Sequence, residues 1–132
     1  MSSNVEMTRD LYDAFNKGDV PAVLAVMAPD IEWQEPESVP YGCHVGPQAV
    51  AENVFSLVVQ HLHDFSVQPE EWVDGGETVV VMGTYRGRGS ATGLALNTPF
   101  IHVWRFAGGK IAGFRTSFDT QRWLEVIGSA PG

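Results

Sequence analysis

Apolar residues in the first half of the chain recur every three or four positions, which predicts amphipathic helices. These helices cover about residues 3–17, 21–28 and 47–61, and Gly or Pro follows the first two. Between the second and third helices, alternating apolar and polar residues predict a strand over 31–35. Residues 36–46, which are broken by Gly and Pro, are predicted to form a loop.

The period of the pattern changes from 3.6 to 2 near residue 65, which predicts a series of strands. The strands cover residues 65–73, 78–88, 96–106 and 111–118, and Gly-Gly turns join them in two hairpins. Asp119 is placed to cap a last helix over 120–127, which Gly128 ends. Helices followed by a meander of strands indicate an α+β fold, with the helices packed on one face of a curved antiparallel sheet.

The composition is that of a globular protein, with 44% hydrophobic and 11% aromatic residues among 132. We therefore expect a single domain over residues 1–132, with its core over about 5–127. The net charge of −8 excludes nucleic acid and anionic membranes as partners, because both would repel the protein. One cysteine, no targeting signal and no apolar run long enough for a bilayer predict a cytoplasmic protein.

Strand alternation leaves very few titratable side chains on the face that meets the helices. His102 shares this face with the aromatic residues around it, and Glu35 shares it with Trp33. Tyr85 belongs to another inward set, on the strand that carries Gly83, and we expect this glycine to leave space for a cavity. The pattern therefore predicts an apolar pocket with Glu35 and His102 as its candidate catalytic groups.

A carboxyl and an imidazole in an apolar pocket are suited to proton transfer. Burial raises a carboxyl pKa and makes it a better base near neutral pH, and a neutral imidazole can donate a hydrogen bond to an enolate oxygen. Two structural explanations stay open: Glu35 as an exposed carboxylate at the rim, and His102 as a core histidine satisfied by a polar neighbour. The other residues predicted to line the pocket are Leu11, Phe15, Trp33, Asn53, Leu57, Val81, Tyr85, Phe100, Trp104, Phe114, Thr116 and Phe118.

No metal or organic cofactor is expected. His61 and His63 are two positions apart at a helix end, so they do not share a face, and Cys43-His44 has no second Cys or His at ligand spacing. The glycines around Arg88 lack the following helix and the Lys-Ser/Thr pair of a phosphate-binding loop.

Four segments of the chain carry a family resemblance: Leu-Tyr-Asp-Ala-Phe-Asn-Lys-Gly-Asp (11–19), Met-Ala-Pro-Asp-Ile-Glu-Trp (27–33), Gly-Pro-Gln-Ala-Val (46–50) and Val-Trp-Arg-Phe-Ala-Gly-Gly-Lys-Ile (103–111). Over about residues 5–127 the chain resembles the nuclear transport factor 2-like superfamily, and within it the SnoaL-like and ketosteroid isomerase-related proteins. The resemblance implies a cystatin-like, cone-shaped, strongly curved antiparallel or mixed sheet wrapped around N-terminal helices. It also implies a pocket for a small apolar molecule and a homodimer formed through the outer face of the sheet.

The resemblance also implies roles for single positions. Glu35-Pro36 stands where ketosteroid isomerases carry an Asp-Pro whose carboxylate is the general base, and His102 stands where they place a protonated Asp in the oxyanion hole. Leu11 takes the place of their oxyanion tyrosine, and Tyr12 is expected to turn roughly 100° away from it. Thr116 follows Arg115 where epoxide hydrolases and cyclases carry an acid.

Three functions follow from these observations and stay open at this point. The first is a cofactor-independent acid–base enzyme of isomerase, lyase or hydrolase type, in which Glu35 moves a proton on an apolar carbonyl compound while His102 or Tyr85 polarises an oxygen. The second is a non-catalytic protein whose pocket holds an apolar metabolite, and the third is a dimerisation domain whose cavity has no role.

Overall fold

The computed structural model describes residues 3–128, which form five α-helices and one six-stranded sheet. A π-helical turn, Ala51–Phe55, joins the third and fourth helices into one continuous helix. Among these residues, no helix combines the length and the apolar character needed to cross a membrane. The helices are α1 (Ser3–Asn16), α2 (Val20–Ala25), α3 (Pro47–Val50), α4 (Ser56–His61) and α5 (Thr120–Ile127), and the strands are β1 (Met27–Gln34), β2 (Cys43–Val45), β3 (Leu62–Asp74), β4 (Thr78–Gly89), β5 (Ala95–Ala107) and β6 (Lys110–Phe118).

The strands lie in the order β2-β1-β6-β5-β4-β3. β1 runs parallel to β6 and all other neighbours are antiparallel, so the sheet is mixed, and the predicted α+β class is confirmed. Register shifts interrupt the pairing of β1 with β6, β3 with β4, and β5 with β6. Such bulges bend a strand locally. The curvature of the whole sheet stays a prediction.

The core lies between the helices and one face of the sheet. In β4 and β5 the residues predicted to point inward are buried, including Val81, Tyr85, Phe100, His102 and Trp104. Helix α1 packs against β3, and α5 packs against β5. The pairing of His102 with both Val81 and Thr116 places it in the middle of the sheet.

The second predicted helix is too long, because α2 ends at Ala25 and β1 begins at Met27. Met27 pairs with Ile111 of β6, and the Ile111 N–H donates to the Val26 carbonyl at 2.9 Å. A partner strand more than eighty residues away overrides the local helical pattern. Pro29 is tolerated in β1 because it lies in the segment where the ladder is irregular. The predicted loop over 36–46 also contains the short strand β2.

The final helix forms where the sequence predicts it. The Asp119 carboxylate accepts a hydrogen bond from the Arg122 N–H at 3.0 Å, which satisfies one of the free donors at the start of α5. Gly128 follows the helix with φ 85°, a left-handed conformation that suits glycine.

Gly83 does not leave space for a cavity, contrary to expectation. A Cβ atom at this position would lie 2.7 Å from Cζ of Phe100, and even closer to the Gln68 carbonyl oxygen on β3. The Phe100 ring and the neighbouring backbone therefore occupy the space that the missing side chain provides. Gly83 is a packing residue.

Substitution of Gly83→Ala is expected to reduce the free energy of unfolding by about 3 kcal/mol, because a backbone oxygen and an enclosed ring must both move. Gly113→Ala on β6 is the matched control, since the three atoms nearest to the new Cβ all belong to the flexible end of Arg105. We expect the control to change stability by less than about 1 kcal/mol. Urea denaturation measures both, and equal effects of the two substitutions would contradict this account of Gly83.

The outer face of the sheet carries an apolar patch formed by Val80, Met82, Ile101 and Val103. Val80 pairs with Val103 and Met82 with Ile101 across β4 and β5. Ile101 is 47% exposed and the other three are half-buried. The homodimer implied by the family resemblance stays a prediction, and this patch is the surface on which it would bury apolar area.

If that homodimer forms, Ile101→Glu is expected to shift it toward monomer, because a charge would be buried in an apolar contact. Val59→Glu is the control, since Val59 is 70% exposed on α4 and the substitution adds the same charge. Sedimentation velocity at micromolar concentration distinguishes the two variants. A monomeric wild-type protein, or dimers unaffected by Ile101→Glu, would remove the prediction.

Candidate functional site

A cavity of about 60 Å³ lies between the helices and the inner face of the sheet. A cavity of about 150 Å³ can hold benzene, so a cavity of this volume restricts a ligand to a small molecule. Eleven of the lining side chains are aromatic, and they come from α1, β1, β3, β4, β5, β6, α5, the π-helical turn and the loop after β1. The lining consists of Leu11, Tyr12, Phe15, Trp33, Glu35, Tyr41, Val54, Phe55, Val58, Phe65, Val67, Tyr85, His102, Trp104, Phe114, Phe118 and Trp123.

The two candidate catalytic residues and seven of the residues predicted for the pocket line this cavity. The seven are Leu11, Phe15, Trp33, Tyr85, Trp104, Phe114 and Phe118.

Five predicted pocket residues do not line the cavity. Asn53 is exposed and its side chain donates to the Ala49 carbonyl. Leu57 is half-buried and packs against the core. The other three are buried behind the lining: Val81, Phe100, whose ring stacks on His102 at 3.9 Å, and Thr116, which hydrogen-bonds to Tyr85.

Tyr12 lines the cavity together with Leu11, although it was not among the predicted pocket residues. Tyr12 is buried and places its hydroxyl 2.7 Å from Nδ1 of His102. The buried stripe of an amphipathic helix is at least about 100° wide, so Leu11 and Tyr12 both fit within it. The apolar spacing in α1 already contained this signal.

Two further aromatic residues in the cavity lay outside the predicted pocket. Trp123 lies on the buried face of α5, and the amphipathic pattern of that helix could have identified it. Tyr41 lies in the loop between β1 and β2, where the sequence has no periodicity to indicate a direction. The remaining lining residues absent from the prediction are Val54, Phe55, Val58, Phe65 and Val67.

His102 is hydrogen-bonded through both ring nitrogens. Nδ1 lies 2.7 Å from the Tyr12 hydroxyl, and Nε2 lies 2.5 Å from the Tyr85 hydroxyl. The Tyr85 hydroxyl is 3.1 Å from the Thr116 hydroxyl, and Nε1 of Trp104 donates to the Tyr12 hydroxyl at 2.9 Å. Burial lowers the pKa of His102 well below its ordinary value, so the ring is neutral near pH 7.

A neutral imidazole has one donor and one acceptor, so the network has two possible orientations. In the first, Tyr12 donates to Nδ1, Nε2 donates to Tyr85, and Tyr85 donates to Thr116. In the second, Thr116 donates to Tyr85, Tyr85 donates to Nε2, and Nδ1 donates to Tyr12. The Tyr12 oxygen then accepts from both His102 and Trp104, and its own O–H is available to a ligand oxygen in the cavity.

Glu35 follows the last residue of β1 and lies on the cavity side of the chain. Its carboxyl accepts a hydrogen bond from Nε1 of Trp33 at 2.8 Å. Burial raises the pKa of Glu35 from 4.5 to about 7, although the Trp33 hydrogen bond opposes this shift. The carboxyl is therefore suited to accept or release a proton near neutral pH.

Tyr41 forms a second polar group at the cavity wall. Its hydroxyl accepts from Nε1 of Trp123 at 2.9 Å and lies 3.0 Å from Nδ1 of His61. Burial, with a smaller contribution from the negative charge of Glu35, raises the pKa of Tyr41. Burial lowers the pKa of the half-exposed His61.

Within residues 3–128, no group of three or more His, Cys, Asp or Glu side chains could hold a metal ion. Buried side-chain nitrogen and oxygen atoms in this part of the chain all have hydrogen-bond partners. The arrangement is suited to proton transfer by Glu35, in a cavity whose lining also includes hydrogen-bonded tyrosines and His102.

A family profile described as SnoaL-like domain matches residues 8–114. The chain belongs to the SnoaL-like domain family. No functionally curated protein matches this SnoaL-like chain.

Solved structures agree with this assignment. An NTF2-like protein of unknown function from Burkholderia pseudomallei K96243 is 35% identical, with a TM-score of 0.90 over 96% of this chain and 98% of that one. TerC, co-crystallised with polyporic acid, is 30% identical, with a TM-score of 0.86 over 97% of this chain and 100% of that one. A putative SnoaL-like polyketide cyclase from Jannaschia sp. CCS1 shares the fold at 19% identity, with a TM-score of 0.81 over 97% and 93%.

The raised pKa of Glu35 has a consequence for the stability of this SnoaL-like protein. Between about pH 4.5 and pH 7 the folded state holds more protons at Glu35 than the unfolded chain does. The contribution of this group to stability is therefore full below about pH 4.5 and is lost as the pH rises through 7.

Glu35→Gln lacks this titration. The free energy of unfolding of the variant, relative to that of wild type, is therefore expected to be higher at pH 8 than at pH 5. Urea denaturation at the two pH values measures the difference. Glu37→Gln is the control, because Glu37 is exposed and the substitution removes the same charge two positions away. Identical pH profiles for the two variants would refute the burial effect at Glu35.

Proposed function

We propose that this protein catalyses proton transfer at a carbon next to a carbonyl group, in a small, apolar compound held in the cavity. The observation that carries the proposal is the presence of Glu35 in an aromatic cavity that Tyr12 also lines. Both residues line a space of about 60 Å³, so a ligand that fills it contacts both of them.

In the proposed reaction, the Glu35 carboxylate removes a proton from the carbon, and the electron pair of the C–H bond moves to the carbonyl oxygen. The enolate oxygen accepts a hydrogen bond from the Tyr12 O–H. The Glu35 carboxyl then returns the proton, either to the same carbon or to another one. In a β,γ-unsaturated carbonyl compound, return to the γ carbon gives isomerisation. In a compound with a second carbonyl group, attack of the enolate carbon on that carbonyl carbon gives cyclisation, and the new alkoxide oxygen takes the proton from Glu35.

The second orientation of the hydrogen-bond network supports the role of Tyr12. When His102 and Trp104 both donate to the Tyr12 oxygen, the Tyr12 O–H becomes a stronger donor, because the two hydrogen bonds withdraw negative charge from its oxygen. His102 acts as a positioning residue in this scheme and stays neutral. In this scheme the hydroxyl of Tyr12 donates the hydrogen bond that ketosteroid isomerases obtain from a tyrosine at the position of Leu11.

The relatives support a ligand pocket more strongly than they support a reaction. TerC, at 30% identity, was crystallised with the small molecule polyporic acid. The putative polyketide cyclase at 19% identity supports the fold alone. The alternative function, binding without catalysis, is favoured by one observation: the polar atoms of the buried side chains in residues 3–128 already have protein partners.

Exchange of deuterium into butanone in heavy water tests the proposal, because butanone is small and carries exchangeable hydrogens on the two carbons next to its carbonyl. The wild-type protein is expected to accelerate exchange above the buffer rate, as followed by NMR. Glu35→Gln is expected to slow the catalysed exchange by about 10²–10⁴-fold, and Tyr12→Phe by about 10²–10³-fold.

Glu37→Gln is again the matched control and is expected to leave the exchange rate unchanged, since its carboxylate is exposed. A wild-type rate equal to that of buffer, together with saturable binding of butanone, would establish the non-catalytic alternative. Unchanged exchange in Glu35→Gln would exclude Glu35 as the base.

A further inference from the structure

The cavity contains one carboxylate and no opposite charge. Glu35 is its acidic residue, and neither Lys nor Arg is among the described side chains that line it. The carboxyl accepts a hydrogen bond from Trp33, but its charge has no ionic partner in the lining. Ionising a carboxylate away from water is costly unless a positive charge is close. The cavity therefore favours a ligand that brings that charge.

The aromatic walls of the cavity suit a cation. Neighbouring rings meet nearly at right angles: 89° for Trp33 and Phe55, 86° for Tyr41 and Trp123, and 84° for Phe65 and Trp123. All five of these rings line the cavity. A cation within about 6 Å of a ring centroid is attracted by the electron-rich face of the ring, and quaternary ammonium groups are the ligands that aromatic cages commonly bind.

The hydrogen-bonding groups of the cavity wall can all be satisfied without a hydrogen bond from the ligand. Both nitrogens of His102 contact tyrosine hydroxyls, and Nε1 of Trp123 donates to the Tyr41 hydroxyl. A methylated ammonium ion presents methyl groups to its surroundings. It can therefore enter without displacing these protein hydrogen bonds.

We infer that the cavity binds small methylated ammonium ions, which lie against the aromatic rings and pair with the ionised carboxylate of Glu35. The cavity of about 60 Å³ restricts the ligand to a small ion, and tetramethylammonium is the smallest quaternary ammonium ion. The net charge of −8 also attracts cations to the protein. This inference goes beyond the proposed function, since proton transfer from a neutral carbonyl compound requires no cationic ligand.

Binding depends on pH through Glu35. The other titratable groups that face the cavity are Tyr12 from α1, Tyr41 from the loop after β1, Tyr85 from β4 and His102 from β5. Burial raises the pKa of all three tyrosines and lowers that of His102, so these groups stay neutral between pH 6 and 8. The remaining elements contribute aliphatic and aromatic side chains to the lining. Glu35, with a pKa of about 7, is the cavity group that changes charge in this range.

Isothermal titration calorimetry with tetramethylammonium chloride tests the inference, because the charge of this ion does not change with pH. We expect one saturable site per chain at pH 8. With a Glu35 pKa of about 7, the ionised fraction falls about tenfold between pH 8 and pH 6, and the affinity falls with it. tert-Butanol, a neutral compound with the same number of heavy atoms, is expected to bind at least tenfold more weakly at pH 8.

Two variants locate the site. Glu35→Gln keeps the size of the side chain and is expected to weaken binding at pH 8 at least tenfold and to remove the pH dependence. Glu37→Gln changes the net charge equally from an exposed position and is expected to keep both the affinity and its pH dependence.

The inference is overturned if wild type shows no saturable binding at pH 8, if tert-butanol binds as tightly as the cation, or if the two variants weaken binding equally. None of these results depends on turnover. Failure of the deuterium exchange experiment with successful cation binding would therefore reject the proposed reaction alone, and the reverse result would reject the cation site alone.

Discussion

The buried imidazole of His102 sets the arrangement of the polar groups in this protein. An imidazole removed from water must satisfy two nitrogens, and here the hydroxyls of Tyr12 and Tyr85 do so. These contacts join α1 to β4 and β5, and the Thr116 hydroxyl extends the network to β6. Leaving one buried partner unsatisfied costs about 1–3 kcal/mol, so each hydroxyl stabilises the position of the others. These hydrogen bonds therefore help to fix the position of α1 relative to β4, β5 and β6.

Glu35 is in the opposite electrostatic situation within the same cavity. His102 is surrounded by groups that satisfy its neutral form, whereas the ionised form of Glu35 lacks a compensating charge in the lining. Burial therefore acts on both residues in the same sense and favours the neutral state of each. The consequences differ, because a neutral imidazole becomes a fixed part of the structure and a carboxyl with a pKa of about 7 remains able to exchange its proton. Glu35, whose charge has no ionic partner in the lining, is therefore the cavity residue best suited to proton transfer.

Side-chain direction in β4 and β5 could be predicted from the sequence, because successive side chains in a strand point to opposite faces and the inner face is apolar. This is why the inward positions of His102 and Tyr85 could be identified. The cap at Asp119 could be predicted because the residue type and its place before an apolar helical pattern are typical of a helix start. The extent of α2 and the position of Tyr41 could not. The first depends on pairing with a strand more than eighty residues away, and the second on a loop that follows no period. Cavity size was equally inaccessible, since it depends on how eleven rings from different elements pack together.

The proposed role of Tyr12 illustrates how a site can differ in its residues from a related one and still offer the same hydrogen bond to a ligand. A neutral histidine needs one partner that donates and one that accepts, and phenol hydroxyls can do either. The two ends of the network are therefore coupled: if a ligand oxygen accepts from Tyr12, Nδ1 of His102 must donate to Tyr12, and Tyr85 must then donate to Nε2. A ligand that offers no acceptor leaves Tyr12 free to donate to His102. The orientation of the buried hydrogen bonds thus depends on the kind of ligand in the cavity, although no side chain in the network has to change its charge.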